Sequence, residues 1–447
     1  MNTRSNDAKR VLLRRDERVP PLEEPVKLAV IGAGGRSTLT YAPLWPALQS
    51  WVRIVAVCDP LSEHADKLAG LLNVPAYHDL RRLVRDIPME AALVVSPVPS
   101  HHSISVFLST NGIHNLTETS WSSMLCQSRE MIAAARQHGV VVRVAENFFR
   151  FPIDRFAQTV RDSGYLGRIG RVLCYADHTG YHNNSRWIAL ARNHPLWVQS
   201  IEHVMDIPAY YATPQRRFDQ ERLGLRCFAF PGDLMVVDIG SGNVKGHLGR
   251  HPRPGYTEWQ GQRGTLVHRA TGPHWARQWA QAMNTELRRV SDDKLAPAQE
   301  AAGELRGGGA AEQITPVEEE VIDDMWVRTY ADTPLGRIEY VNPMRPTGLG
   351  KVNNSVWYHA AIMDHVTDFA LTVRGLVKGE FDEQDAMASQ MMEIGARESA
   401  LQDSKRIALP LEGECEADAL VRQDLRRKFG VDPLDVEAML SVSFPRS

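Results

Sequence analysis

The run VKLAVIGAGGRS places an apolar strand directly before Gly32-x-Gly34-Gly35-x-Ser37. Glycines in that spacing permit a tight turn and let backbone N–H groups approach a pyrophosphate at a helix N-terminus. Ser37 stands where a third glycine is usual, a small-for-small change. The next apolar run, RIVAVCD, ends in Asp59 roughly 25 residues on, where a carboxylate binds a ribose 2′-OH and repels a 2′-phosphate. The chemistry implied is binding of a dinucleotide, NAD in preference to NADP. Nucleotides lie at the C-terminal ends of strands in such sheets. Arg36 on the turn, Ser96, Pro97 and His101 in SPVPSHHS, and Glu118, Thr119 and Asn147 at later strand ends are therefore further candidate contacts. His101 and His102 lack an acid or cysteine at ligand spacing and read as loop and helix-cap histidines, not as a metal pair. The segment DHTGYHNNSRW (177–187) is polar and aromatic; His178, Tyr181, His182, Arg186 and Trp187 could bind hydroxyls or a carboxylate, or form an ordinary surface loop.

Those residues need a frame. From residue 26 to 147 short Val-rich runs alternate with amphipathic stretches of about ten residues, the pattern of a parallel sheet covered on both faces. From 148 the pattern changes to a helix, a strand and then glycine-punctuated alternating segments at 225–251 and 257–270, the mark of antiparallel sheet. Helical periodicity returns at 358–375 and 382–405. The expected organisation is a polar arm, 1–24, flexible or draped over a partner surface; a dinucleotide-binding domain, 25–147; an α/β domain, 148–411, interrupted by a mobile Gly/Ala/Glu-rich insertion at about 291–318; and an extension, 412–447.

The bulk numbers agree with a large soluble protein. The 447 residues carry 51 basic and 54 acidic side chains without long runs of one sign, so neither a nucleic-acid groove nor a polybasic membrane anchor is expected. The five cysteines are scattered, with no C-x-x-C pair. With no apolar leader at the start, the expected location is the cytoplasm.

Taken in order, VIGAGGRS, VAVCD, SPVPSHHS, LTETSWS, AENFFRFP, GYLGRIGRV, EHVMD and the glycine-rich run from 240 to 267 resemble the glucose–fructose oxidoreductase/inositol dehydrogenase (Gfo/Idh/MocA) family over roughly residues 26–411. The resemblance implies an N-terminal Rossmann doubly wound parallel sheet and a C-terminal α/β domain. The latter carries a large open, mainly antiparallel sheet that commonly forms oligomer contacts, with substrate between the domains. It also implies a Glu-Lys-Pro turn whose lysine supports proton transfer. Here the tripeptide is Glu118-Thr119-Ser120, and threonine supplies no cation. The family's second element is an Asp four residues before a His. In QSIEHVMD it falls on Gln199 and His203, with Asp206 beyond, an i, i+4 pair on one helix face in which Gln199 can hydrogen-bond but not exchange protons. His203 is then the expected proton carrier, since histidine changes charge near neutrality. Tyr181 or His182 could take over acid work. Arg150, just after the crossover, is either a substrate contact or a structural ion pair, and Lys351 is a weaker candidate for a relocated cation.

The reading expected is a nicotinamide-dependent oxidoreductase acting on a small polyol, sugar, cyclitol or imine-bearing metabolite, in which the cofactor does the redox chemistry and the protein manages a proton. Transient oxidation driving elimination or hydrolysis is a variant. The alternative from another class is a non-catalytic NAD(P)-binding regulatory protein of the same fold.

Overall fold

The computed structural model describes residues 19–176, 180–213, 216–241, 255–270, 284–290, 312–351 and 355–444. The first sheet contains β1 (Val26–Ile31), β2 (Val52–Cys58), β3 (Ala76–Tyr77), β4 (Ala91–Val94), β5 (His114–Thr117) and β6 (Val142–Val144), all parallel, in the order β3-β2-β1-β4-β5-β6. β1 and β4 are apolar and almost wholly buried, as strands covered on both faces must be. The order reverses between β1 and β4, which opens a crevice at the carboxyl ends of the strands. After β1 a regular helix does not form. Ser37–Tyr41 is a π turn, Ala42–Leu44 a 3-10 turn and Trp45–Leu48 one α turn. Pro43 and Pro46 remove the N–H donors that a longer α-helix needs there.

The second sheet has nine strands: β7 (Ile169–Ala176), β8 (Trp197–Thr213), β9 (Arg216–Phe230), β10 (Leu234–Ser241), β11 (Gly255–Gly261), β12 (Gly264–Ala270), β13 (Thr285–Val290), β14 (Glu312–Pro316) and β18 (Ile407–Ala408). Their order is β14-β13-β12-β11-β7-β10-β9-β8-β18, antiparallel except for β7 with β10. A small antiparallel sheet follows, of β15 (Glu318–Ile322), β16 (Met325–Thr333) and β17 (Gly336–Val341). The end of the expected mobile insertion is thus strand, in β14 and the start of β15; 291–311 lies outside the described residues.

Two helices tie the halves together. Tyr358–Val373 is buried along nearly its whole length and shares a hydrophobic core with β1 and the Ser37–Leu48 turns. Glu383–Leu401 packs against β8 and the Gly180–Ala191 helix. Of the polar arm, the described residues bond to the segment before β2 of this same chain: Leu22 N donates to Ser50 O and Trp51 Nε1 to Pro20 O. Among the described residues no helix is long and apolar enough to cross a membrane.

The last segment has a clear structural task. The Leu125–Gln137 helix follows the Thr119–Ser123 loop, and its own N-cap residue, Met124, offers no side-chain acceptor. Asp418, on the Glu416–Phe429 helix, fills the gap, accepting from Leu125 N at 2.9 and 3.1 Å while fully buried. Burial raises its pKa, partly opposed by those backbone bonds. Asp418→Ala leaves an amide orphaned in the core and should cost about 1–2 kcal/mol in chemical denaturation, whereas Asp418→Asn, which keeps one acceptor, should lose less.

Candidate functional site

The glycine turn begins where β1 ends. Gly32 has φ +96°, and a Cβ there would sit 2.5 Å from Val95 O, so β4 passes too close for any side chain. Above Gly34 and Gly35 a Cβ would meet nothing within 4 Å, leaving the open approach a pyrophosphate needs. Ser37 closes the turn by donating to Gly32 O at 2.5 Å. Asp59 lies beside it with its carboxylate accepting from Ala33 N (2.7 Å) and Leu61 N (2.9 Å), which fixes a negative group at the end of β2. At the end of β6, Asn147 is buried and its Oδ1 has no hydrogen-bond partner, the kind of orphaned acceptor that a ligand amide satisfies. The open turn, the placed acid and this unpaired acceptor fit a dinucleotide.

Arg36 does not lie along the turn. Its Nε donates to Glu118 Oε1 at 2.8 Å, its Nη1 to the Tyr358 hydroxyl, and its guanidinium lies over the rings of Tyr41 and Tyr358. Tyr41 donates to the same Glu118 oxygen at 2.7 Å. Glu118 Oε2 accepts from Thr119 N (3.0 Å) and Thr119 Oγ1 (3.3 Å). Burial works to raise the Glu118 pKa, but the Arg36 charge and the bonds from Tyr41 and Arg36 prevail and hold it at about 2. His365, 3.3 Å from Tyr41 Oη, is pushed down to about 3 by burial and then by the charge of Arg150, so it is neutral. The Thr119–Ser120 peptide is cis.

Next to this cluster lies a cleft of about 220 Å³ at the carboxyl ends of β4, β5 and β6. It is lined by Val98, the Thr119–Ser123 loop, Glu146, Tyr181, Gln390 and Glu393, among others. Glu146 Oε1 accepts from Asn147 N (2.9 Å) and Phe148 N (3.0 Å), and the carboxylate meets His182 Nδ1 at 3.1 Å. The His182 ring stacks on Phe148, centroids 4.0 Å apart. A carboxylate on Nδ1 selects the tautomer in which Nε2 is the basic nitrogen. Of the pair, Glu146 lines the cleft, and an imidazole oriented by such a carboxylate can take and return a proton.

Several expected site residues lie elsewhere. Gln199 and His203 are not on a helix: both are exposed on β8, Gln199 donating to Ser404 O and His203 paired in register with Leu223. Neither they nor Asp206 borders the cleft. His182, the alternative proton carrier, lies on the Gly180–Ala191 helix, and His178 lies outside the described residues. Arg150 is buried on Asp364, Asp368 and Glu380, the structural alternative. Arg186 is buried on Asp154 at 2.8 Å and Trp187 is wholly in the core, so neither is placed to meet substrate. His101 braces the site from below, its nitrogens 2.7 and 2.9 Å from Ser96 O and Ser120 O, rather than facing a nucleotide. Ser96 accepts from Ser100 Oγ, and Pro97 is the exposed cap of the Val98–Thr110 helix. Lys351 is exposed, 3.9 Å from Asp324. His102 pairs with Glu130, and among the described residues no cluster of three His, Cys, Asp or Glu could hold a metal. Sequence reasoning missed Glu146; its signal was an acid at a strand's carboxyl end in VAENFF.

Residues 26–146 match the model of the oxidoreductase family with an NAD-binding Rossmann fold, GFO_IDH_MocA. The match assigns that first domain, residues 26–146, to the Gfo/Idh/MocA family. D-Apiose dehydrogenase of Paraburkholderia graminis is 25% identical over 191 residues, 41% of this chain and 49% of the relative. An uncharacterised oxidoreductase of Schizosaccharomyces pombe is 24% identical over 156 residues, 34% and 42%. The matches thus span under half the length of these curated relatives. A levoglucosan dehydrogenase solved with NADH and levoglucosan superposes with a TM-score of 0.61 at 16% identity, over 87% of this chain and 100% of that one. That likeness is one of fold.

The two kinds of glycine separate folding from binding. Gly32→Ala should cost more than about 2 kcal/mol through backbone strain and the clash with β4. Gly34→Ala should fold with an unchanged thermal midpoint yet bind NADH at least about tenfold more weakly, because its methyl stands where the pyrophosphate approaches. Fluorescence titration beside thermal melts reads both.

Proposed function

We propose that the chain is an NAD-dependent oxidoreductase of a small polyol, sugar, cyclitol or imine-bearing metabolite, with His182, oriented by Glu146, as its proton carrier. The observation that carries this reading is the Glu146–His182 pair, whose carboxylate lines the cleft. A bound nicotinamide would exchange the hydride. The turn from Gly32 to Ser37, Asp59 and Asn147 would hold it. The protein's own part is to seat the reacting carbon in the cleft and to move one proton through the imidazole. The hydroxyl of Thr119 and the side chains of Tyr181 and Gln390 supply hydrogen-bonding groups around the substrate. The activities of two proteins it is similar to, an apiose and a levoglucosan dehydrogenase, support a polyhydroxylated substrate.

NAD is preferred over NADP on two grounds. Asp59 places a carboxylate where the extra phosphate would come, and Arg36, the basic residue of the turn, is already engaged by Glu118. The protein acts in the cytoplasm and assembles through its nine-stranded sheet, where Ile201, Val204, Met205 and Leu223 leave large apolar side chains exposed on β8 and β9.

His182→Ala should lower kcat by about 10²- to 10⁴-fold while NADH affinity is retained, and Glu146→Gln should move it the same way by less. Steady-state assays over a polyol, sugar and amino-sugar panel check this. Nucleotide binding without turnover on any of them, indifferent to His182→Ala, is instead what a regulatory binding protein would show. In parallel titrations Asp59→Ser should narrow the NAD/NADP preference by about tenfold; equal affinity of the unaltered protein for both would overturn the cofactor assignment.

A further inference from the structure

The family's lysine position is Thr119, yet the site is not without a cation. Arg36 reaches across from the glycine turn to the residue just before it, and a third of its side chain is exposed. One Glu118 oxygen serves Arg36 and Tyr41, and the other receives the Thr119 amide and hydroxyl. The consequence is directional. An ionised carboxylate only accepts hydrogen bonds, so the Thr119 hydroxyl spends its one hydrogen on Glu118. Its lone pairs are then what it offers to the cleft that it lines. An ammonium at this position could only donate.

We propose that Arg36 is the positioning cation of this site: through ionised Glu118 it fixes the Thr119 hydroxyl as an acceptor toward the cleft, which therefore favours at that point a substrate group that donates, a hydroxyl or an ammonium, over a carbonyl. The alcohol or amine is then bound better than its oxidised product. This preference rests on the oxidoreductase reading of the cleft; the charge relay from Arg36 to Thr119 does not.

The groups facing Glu118 are Arg36 and Tyr41 from the turn, Tyr358 and His365 from the Tyr358–Val373 helix and His101 from beneath. Of these only Arg36 is a permanent cation. Because the folded carboxyl titrates at about 2 against an ordinary 4.5, its pairing stabilises the protein above the ordinary value and is lost as pH falls through about 2. Without the guanidinium the sign reverses. Burial is then unopposed by a cation, the carboxyl titrates above its ordinary value, and Thr119 can turn its hydrogen back toward the cleft.

The test uses the full chain with ¹³C-carboxyl glutamate, the Glu118 resonance assigned by its loss in Glu118→Gln. In the unaltered protein and in Arg36→Lys this signal should stay ionised from pH 4 to 9; in Arg36→Met, or Arg36→Gln should the former not fold, it should titrate within that window. A carboxyl that remains ionised in both neutral variants overturns the relay, whether or not the protein turns over any substrate. The second arm uses an alcohol oxidised in the panel above and the ketone derived from it. Thr119→Val and Arg36→Met should each raise KM for the alcohol by about tenfold, the loss of one hydrogen bond, and leave that for the ketone nearly unchanged, with Arg36→Lys restoring it. Equal losses for alcohol and ketone overturn the acceptor role. Absence of turnover throughout would count against the enzymatic reading alone, since the carboxyl titration stands without it.

Discussion

A carboxylate buried at the carboxyl end of a parallel strand has lost most of its hydration, and the loss is tolerable only if neighbouring donors replace the water. Glu118 is in that position, and much of the site's arrangement follows from how it is satisfied. One donor comes from the glycine turn, a second from the irregular helical stretch after it and two from the following residue. The irregularity of that stretch matters here. Three short turns of different pitch replace a straight helix, and Tyr41 at the end of the first reaches the carboxylate. Satisfying one acid thus fixes the turn that would carry a nucleotide relative to the loop that lines the cleft.

The other ion pairs serve a different end. Arg150 and Arg155 are buried among Asp364, Asp368 and Glu380, and Arg186 is buried on Asp154. These groups bind segments far apart in sequence, and removing one partner would strand a buried charge. They do not border the cleft, and their geometry leaves them little to offer a ligand. Arg36 differs from them in being a third exposed and in pairing with the residue just before Thr119, which lines the cleft.

This also explains what could be read from the sequence. The parallel sheet was legible because strands buried on both faces give uninterrupted apolar runs, and the glycine turn because few residue types fit Gly32 beneath Val95. The antiparallel hairpins showed through alternation and glycine turns. The segment around His203 was misread as helix because β8 exposes Ile201, Val204 and Met205, so neither a two-residue nor a 3.6-residue period is clean there. The His182 alternative was visible as a polar segment. Its partner Glu146 was not singled out, because pairing across 36 residues depends on tertiary structure. Arg150 and Arg186 illustrate the same limit: sequence gives a charge, and only the fold gives the acid that neutralises it.

The Tyr358–Val373 helix completes the argument. It comes from the far end of the chain, yet it packs in the core of the first sheet and brings Tyr358 to Arg36 and His365 to Tyr41. The nucleotide crevice is therefore not the property of residues 26–146 alone, although that is the part the family model matches. Since Glu383–Leu401, the next helix, forms part of the cleft wall and packs on the Gly180–Ala191 helix, two consecutive helices link the glycine turn to the cleft. Coupling of that kind needs a contiguous packed path, and here the path is a single stretch of chain from Tyr358 to Leu401.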